Sequence, residues 1–384
     1  MGFGFTEEQE RFRTKVRGFV QQEIKPRANG IAKSSIFPRD LWRQVGEFGL
    51  LGIDLPEEYG GWPGDSIMRG IIAEELGRAD LSLAFTLVPA YGTSLAILHG
   101  GSKELQEEWI PGLIKGDKLG SISMTEPDCG SDLSLIRTKA KREGGYYVLN
   151  GEKSYVSWGL QADVNWVFAK TERDVNPWDL TAFLLPLDLP GIAKSSFREM
   201  GLYPVGHTSL SFKDVRVPAE YRLGEEGRVL RCAAKVFPQT RMILSLSALG
   251  LAQTSLEEAI NFVKQRVAFG KPLGKFEGVS FKIAEDATLV EGARWLCYRT
   301  LYLIDQGIRC VKEIAMCKWW STEVAFRTIY DALLLYGHRG YSSEYPLEQR
   351  LRDIIGYEIA EATPQIVKLA ICEEILGKEL RPFC

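Results

Sequence analysis

The sequence predicts an α+β protein, mainly α, in which an N-terminal helical domain and a C-terminal four-helix bundle flank a middle β domain. Stretches with helical periodicity fill residues 1–117. Short β-branched or aromatic runs, separated by Gly, Asn, Asp and Pro, fill residues 118–226 at the spacing of a sandwich or barrel. Long helical patterns return over residues 227–384. Three domains with these boundaries are therefore predicted.

Each element has its own signal in the sequence. Thr6 and Gln9 form a capping-box pair that starts the first helix. Four more helices are predicted in the first domain, within residues 38–52, 65–79, 81–101 and 102–117. The predicted strands are residues 121–124, 146–157, 164–170, 181–187 and 209–218. The predicted bundle helices are residues 238–267, 279–307, 310–337 and 346–377.

Composition excludes several classes of function. The net charge of −3 gives no basic field for a nucleic-acid partner. Seven cysteines, odd in number and without a C-x-x-C pair, indicate free thiols in a reducing compartment and no zinc site. The N-terminus is acidic early, unlike a signal peptide, and the longest apolar stretch, around residues 242–252, is too short and serine-rich to span a bilayer. We predict a cytoplasmic protein with no metal site and no membrane insertion.

Three polar segments interrupt these elements. Residues 122–131 follow a strand, residues 155–157 end another strand, and residues 352–366 carry Glu358 and Glu361 three positions apart, on one face if the segment is helical. Each segment also fits an ordinary structural role: a turn, a strand edge and a solvated helix face. The third is the least ordinary because Glu361 lies in an otherwise apolar run. A carboxylate in such a place has a raised pKa and suits proton abstraction.

Nucleotide-binding motifs of the Rossmann and P-loop type are absent from the sequence. What occurs instead is an ordered set of four motifs: "TEP-x-x-GSD", "NGEK-x-Y-V-S", "R-x-x-FGKPLGKFE" and "GYSSEYPLEQRLRD…IAEAT". In this order and spacing the set resembles the acyl-CoA dehydrogenase family of flavoenzymes, and the resemblance covers nearly the whole chain. It implies the three-domain fold already predicted, an FAD cofactor, an acyl-CoA or acyl-carrier-protein thioester substrate, an electron-transfer flavoprotein partner and a homotetramer.

The resemblance also implies site residues. Eight residues match the flavin-binding strand ends of the family: Ile122, Met124, Thr125, Gly130, Ser131, Tyr155, Val156 and Ser157. Among them, Ser157 matches the residue whose hydroxyl bonds the flavin N5. Those matching segments that reach the FAD of a neighbouring subunit are Arg266, Phe269, Leu334 and Gly337, and those on the adenosine side are Thr363 and Gln365. Substrate contacts match Ser131, Arg241 and Ala362, and Glu361 matches the catalytic base.

The sequence departs from the family pattern at several positions. Ala362 stands where glycine is usual, and Glu277 and Leu334 stand where glutamine is common. Ala84 occupies the position of an arginine in glutaryl-specific members, which favours an apolar or alicyclic acyl chain over a dicarboxylic one. The leading hypothesis is an FAD enzyme that desaturates an acyl thioester. The alternatives are an acyl-CoA oxidase or enoyl-CoA reductase of the same fold, and a catalytically silent binding or assembly protein.

Overall fold

The structure is a computed structural model that describes residues 4–34, 36–172 and 176–380. The N-terminal part is helical, and several of its helices start at a side chain that accepts a backbone N–H: Thr6, Asp65, Asp80 and Ser102. Its helices are α1 Glu7–Phe19, α2 Lys25–Lys33, α3 Arg39–Glu47, α4 Ser66–Gly77, α5 Leu81–Gly100 and α6 Lys103–Ile114. The sequence predicted all of these except α2.

The middle part contains two four-stranded sheets, which confirms the predicted β domain. The strands are β1 Gly120–Ser123, β2 Lys139–Glu143, β3 Tyr146–Val156, β4 Val164–Ala169, β5 Thr181–Pro186, β6 Ile192–Ser196, β7 Thr208–Pro218 and β8 Arg222–Leu223. One sheet has the order β1-β4-β5-β8 and the other has the order β2-β3-β7-β6. Three strands were missed: β2 and β6, which are polar and mostly exposed, and the two-residue β8.

The C-terminal part is a bundle of long helices joined through a short hairpin. Its elements are α7 Val229–Gln265, β9 Val267–Ala268, β10 Lys271–Pro272, α8 Glu277–Asp305, α9 Val311–Tyr336, α10 His338–Tyr341, α11 Leu347–Ile359 and α12 Pro364–Leu376. α7 begins nine residues earlier than predicted, with Pro238 inside it. The predicted helix over 346–377 is wrong in one respect. It is broken into α11 and α12 by a turn at residues 360–363.

α5 lies at the centre of the molecule, between the β domain and the bundle, where it packs against β1 and α7. By length and composition α5 could cross a membrane, so the prediction that the longest apolar stretch lies around residues 242–252 is wrong. In the fold, however, 94% of its most apolar window is buried. α5 is therefore a core helix in this fold. The two elements packed against it, β1 and α7, contribute residues to the candidate site.

Candidate active site

The loop after β1 is held by a buried ion pair. The Lys153 ammonium donates to the Glu126 carboxylate at 2.8 Å and to the Met124 carbonyl at 3.0 Å. Lys153 is 0% exposed and Glu126 is 6% exposed. Glu126 also accepts hydrogen bonds from Arg137 N, Thr138 N and Thr138 Oγ1, at 2.6, 3.0 and 2.6 Å. Glu126 thus fixes the backbone of the loop, and its side chain is not free to contact a ligand.

The electrostatics of this pair agree with its geometry. Burial disfavours the charged form of Glu126, but Lys153 and the hydrogen bonds from Thr138 and Arg137 outweigh burial, so the pKa of Glu126 is lowered. Burial lowers the pKa of Lys153, against the attraction of Glu126. The lowered pKa of Glu126 favours its carboxylate form, and the pair joins the loop to β3.

Two further hydrogen bonds bring the ends of β1 and β3 together. Ser154 N donates to Thr125 O, and Ser121 Oγ donates to Ser157 O, both at 2.9 Å. The side-chain hydroxyls of Thr125 and Ser157 accept and donate no hydrogen bond in the described part of the chain, and both residues are partly exposed. Two hydroxyls with free hydrogen-bonding capacity at these strand ends fit the polar edge of a flavin.

The remaining residues predicted for this part of the site differ in exposure. Tyr155 is 58% exposed, adopts a left-handed backbone (φ 55°) at an irregularity of β3, and stacks on Phe197 with ring centroids 4.7 Å apart. Val156 is 1% exposed, so its side chain is buried beneath this part of the site. Gly130 and Ser131 lie exposed in the loop after β1. Ile122 and Met124 are partly buried at the strand end.

Glu361 lies in a turn and not on a helix, which corrects the sequence interpretation. α11 ends at Ile359, and both Glu361 (φ 56°) and Ala362 (φ 82°) adopt left-handed backbone conformations. This conformation is costly for residues other than glycine, and such strain often marks a functional site. Glu358 remains on the last turn of α11. The two glutamates therefore do not share a helix face.

Two neighbouring side chains of α7 hold Glu361. Thr240 Oγ1 donates to the Glu361 carboxylate at 3.0 Å, and Arg241 Nε donates to the Glu361 carbonyl at 3.2 Å. Burial raises the pKa of the Glu361 carboxyl, while Arg241, the Thr240 hydrogen bond and Lys318 oppose that rise. A carboxyl group with a raised pKa and a fixed orientation has the properties of a general base.

A glycine of α5 joins the two halves of the site. A Cβ on Gly92 would lie 2.9 Å from Ile122 Cδ1 and 3.2 Å from Thr240 Cγ2. A methyl group at this position would press on both side chains, and glycine avoids that contact. Through Gly92 the end of β1 comes close to Thr240, and Thr240 bonds Glu361. The structure thus brings Ile122, in β1, close to the residue that bonds the candidate base.

Four of the predicted cofactor residues lie elsewhere. Arg266 follows the end of α7, 25 residues after Arg241, which corresponds to about 38 Å along a helix. Phe269 is 96% exposed at the tip of the β9–β10 hairpin. The end of α9, which carries Leu334 and Gly337, meets the same end of α7 because Tyr336 stacks on Phe262 at 4.1 Å. Within one chain, residues 266–269 and 334–337 form a second group, far from Glu361.

Thr363 and Gln365 lie at the N-terminus of α12, directly after the turn. Thr363 is the N-cap residue, yet its side chain makes no capping hydrogen bond, and Gln365 is exposed. The first N–H groups of α12 therefore lack a side-chain acceptor from the cap and lie at the positive end of a helix. This arrangement fits a ligand that carries acceptor or anionic groups.

The sequence interpretation missed two residues of the site, Thr240 and Lys318. Thr240 directly precedes Arg241, whose role had been predicted, so its position was the available signal. Lys318 is a lysine in the apolar run "EIAMCKWW" of α9, a pattern that indicates a buried charge. Glu126 lies in the motif "TEP-x-x-GSD" and Lys153 in the motif "NGEK-x-Y-V-S", but their pairing was not predicted.

Comparison with known proteins gives the family. Three family profiles cover most of the chain: "Acyl-CoA dehydrogenase, N-terminal domain" matches residues 6–117, the middle domain matches residues 121–215 and the C-terminal domain matches residues 230–376. The chain belongs to the acyl-CoA dehydrogenase family. Members of this family are FAD-dependent oxidoreductases.

Full-length relatives agree with this assignment. An "Acyl-CoA dehydrogenase" of Bacillus subtilis (strain 168) is 37% identical over 97% of this chain and 99% of its own length. An "Acryloyl-CoA reductase (NADH)" of Anaerotignum propionicum is 34% identical over 98% of this chain and 97% of its own length. A solved structure described as the electron transferring flavoprotein of Acidaminococcus fermentans contains a chain that is 31% identical, with a TM-score of 0.94, over 98% of this chain and 100% of that chain.

Proposed function

We propose that the protein is an acyl-CoA dehydrogenase in which Glu361 removes the α-proton of an acyl thioester. The observation that carries this proposal is the position of the Glu361 carboxylate. It stands on a left-handed turn, is bonded by Thr240 and lies near the end of β1. No other described carboxylate combines a raised pKa with a place between that strand end and α7.

Each residue of the candidate site has a separate role in the proposed reaction. Glu361 accepts the proton, and its raised pKa brings it closer to the weak acid it must deprotonate. Thr240 orients the carboxylate, and Arg241 holds the main chain of the same turn. The backbone N–H of Glu361 is a donor for the charge that develops on the thioester oxygen. FAD, when bound, accepts the β-hydrogen as hydride.

The residues present fit an FAD. The hydroxyls of Thr125 and Ser157 provide hydrogen-bonding groups at the joined ends of β1 and β3. We propose that Ile122, Met124, Gly130, Ser131, Tyr155 and Val156 complete this face. Thr363 and Gln365, at the start of α12, would hold the adenosine side. Arg266, Phe269, Leu334 and Gly337 would contact the FAD of a second subunit. Arg266 lies about 38 Å along α7 from Arg241, which contacts the base of its own chain, and the other three residues are in the group around Arg266.

For the substrate we propose an apolar or alicyclic acyl chain. Ala84 is 0% exposed within α5, and the described residues around it on this helix are uncharged. A carboxylate at the end of the acyl chain would lack a cationic partner from α5 and would be costly to bury. Ser131, Arg241 and Ala362 are proposed substrate contacts. As electron acceptor we propose an electron-transfer flavoprotein, which the similarity to a chain in the Acidaminococcus electron transferring flavoprotein structure supports.

The proposal is tested by anaerobic bleaching of the bound flavin with a panel of acyl-CoAs, straight-chain, branched, cyclic and dicarboxylic. We expect rapid loss of the flavin absorbance with at least one apolar or cyclic member and slow or no loss with dicarboxylic members. Rapid bleaching by glutaryl-CoA alone would contradict the proposed specificity. A protein that binds FAD and acyl-CoA but is bleached by no member would contradict the dehydrogenase proposal.

A second candidate function is reduction of an enoyl thioester, which the acryloyl-CoA reductase relative favours. The same base would then return a proton to the α-carbon. NADH consumption dependent on an enoyl-CoA and a redox partner would support the reductase. Oxygen consumption coupled to acyl-CoA would instead support an oxidase.

Replacing Ser157 by alanine removes one hydroxyl from the proposed flavin site. We expect Ser157→Ala to retain FAD but to slow flavin reduction, since the hydroxyl proposed to bond N5 both orients the ring and tunes its potential. Stopped-flow reduction under anaerobic conditions measures the effect. Unchanged kinetics would contradict the assignment of Ser157.

Assembly and cofactor content should depend on the exposed hairpin. We expect about one FAD per chain and a homotetramer, or a dimer, measured by flavin absorbance and light scattering. Phe269→Asp should lower both the FAD content and the oligomer size, although Phe269 is 96% exposed in one chain, where its ring lies edge-on to Phe276 with centroids 6.2 Å apart. Ile36→Asp, also at an exposed apolar residue (74%), is the control. A monomer with full FAD would refute the cross-subunit contacts.

A further inference from the structure

A lysine is buried in the bundle beside the candidate base. Lys318 lies in the N-terminal third of α9 and is 0% exposed, and its ammonium group donates a hydrogen bond to the Glu358 carbonyl at 2.6 Å. A buried ammonium group is expensive unless it is paired, and an apolar residue of similar length often replaces it without loss of stability. Neither the family motifs nor the mechanism above gives Lys318 a task.

The carbonyl that Lys318 bonds is one that the helix leaves unsatisfied. Glu358 is in the last turn of α11, where carbonyl groups lack intrahelical N–H partners and the helix end carries partial negative charge. A cation at this place closes the helix end. Three residues later the chain enters the left-handed turn that carries Glu361. Lys318 thus fixes the point from which the turn departs.

The charge of Lys318 also acts on the base. Burial lowers the pKa of Lys318 to about 8, opposed by the negative charge of Glu361 and reinforced by Arg241. The ammonium is therefore charged below about pH 8, the range in which a carboxyl group with a raised pKa ionises. Lys318 is among the groups that oppose the burial-induced rise in the pKa of Glu361.

We propose that Lys318 is a positioning residue for the base: it anchors the end of α11 so that Glu361 faces the thioester, and its positive charge favours the ionised carboxylate. This inference rests on the proposed function. It concerns a residue that touches neither substrate nor cofactor. Its action is exerted through the carbonyl of Glu358 and through the electrostatic field at Glu361.

Other charged groups near Lys318 and Glu361 also shift the pKa values of this region. From α7, Arg241 lowers the pKa of Glu361 and of Lys318. On α11, burial raises the pKa of Glu358, while Lys318 and Lys368 of α12 oppose it and Glu323 of α9 adds to it. Lys368 is exposed and lies over the Trp319 ring at 4.2 Å. It affects Glu358 but is not among the groups that shift Glu361, which makes it the matched control.

The test compares Lys318→Met with Lys318→Gln in the FAD-loaded protein. The limiting rate of flavin reduction is measured from about pH 6 to pH 9 with the acyl-CoA that bleaches fastest. We expect the acidic limb of the pH–rate profile to move to higher pH by about 1 unit in both variants, because removing the cation raises the pKa of the Glu361 carboxyl. Glutamine keeps a hydrogen-bond donor, so its rate at high pH should recover toward the original, whereas methionine should stay slower. Lys368→Met should leave the profile in place.

An unshifted acidic limb in Lys318→Gln would overturn the electrostatic part of the inference, and an equal high-pH rate for methionine and glutamine would overturn the anchoring part. If Lys318→Met fails to fold, the glutamine variant still decides the pH shift, and Lys318→Arg, which keeps both charge and donor, should restore the rate. Failure here is distinct from failure of the proposed function. If Glu361→Gln abolishes reduction while the lysine variants behave like the original protein, only the role of Lys318 is refuted.

Discussion

Glu361→Gln should almost abolish flavin reduction by a good acyl-CoA while FAD and the thioester still bind. Glutamine keeps the shape of the side chain and its bond to Thr240 but cannot accept the α-proton. A positioned general base contributes on the order of 10²–10⁴ in rate, so reduction should fall by at least that factor. Anaerobic stopped-flow absorbance measures the rate, and ligand-induced shifts of the flavin spectrum, which should persist, report binding.

Glu358→Gln is the control for this experiment. Burial raises the pKa of Glu358 as well, but its side chain belongs to the last turn of α11, and Lys318 contacts its carbonyl oxygen, which the substitution leaves unchanged. The effect on rate should be mild. Reversed results would make Glu358 the base. If neither variant slowed the reaction, the base would lie elsewhere in the chain and Glu361 would be a structural residue.

The order of domains and most of their elements could be predicted because their signals are local. The capping box at Thr6 and Gln9 is present in the structure, with both reciprocal hydrogen bonds. Alternating and β-branched runs became strands of two sheets. Such patterns depend on residues two to four positions apart, which the sequence displays directly.

The break between α11 and α12 was missed although a signal for it exists. Ile359, Ala360 and Glu361 all fit a helix, and their periodicity continues that of α11. Pro364, however, disfavours helical backbone at the preceding residue, and Thr363 is extended (ψ 158°). A proline given more weight would have placed Glu361 in a turn. Its left-handed conformation depends on the contacts from Arg241 and Thr240, 120 and 121 positions away, and could not be predicted.

The polar loop after β1 shows a second limit of sequence interpretation. Its hydroxyls and carboxylates predicted a flavin site, and nothing local distinguishes a ligand contact from an internal one. Lys153, which pairs with Glu126, lies 27 positions later on another strand. Only the fold shows that the carboxylate is used internally and that the hydroxyls of Thr125 and Ser157 remain free.

Lys153→Met should destabilise the protein and release FAD more easily. The variant leaves the Glu126 carboxylate buried without its cation, and breaking such a pair costs about 3–5 kcal/mol. If the whole chain unfolds as one unit, this corresponds to roughly 4–6 °C in Tm. Flavin fluorescence during heating reports both unfolding and FAD release. Lys103→Met, which removes an exposed Lys–Glu pair with Glu58, should leave Tm unchanged.

The pH dependence of this defect identifies its cause. In the original protein the pKa of Glu126 is lowered by folding, so its stabilisation is present above the unfolded value of about 4.3 and is lost as pH falls through the lower folded pKa. In Lys153→Met the unpaired carboxyl has a raised pKa and is protonated sooner, so the difference in Tm should shrink from neutral pH toward about pH 4. Adding Glu126→Gln should recover part of the loss at neutral pH. A deficit that is constant with pH and persists in the double variant would mean that lost packing of the lysine side chain, and not the unpaired charge, destabilises the loop.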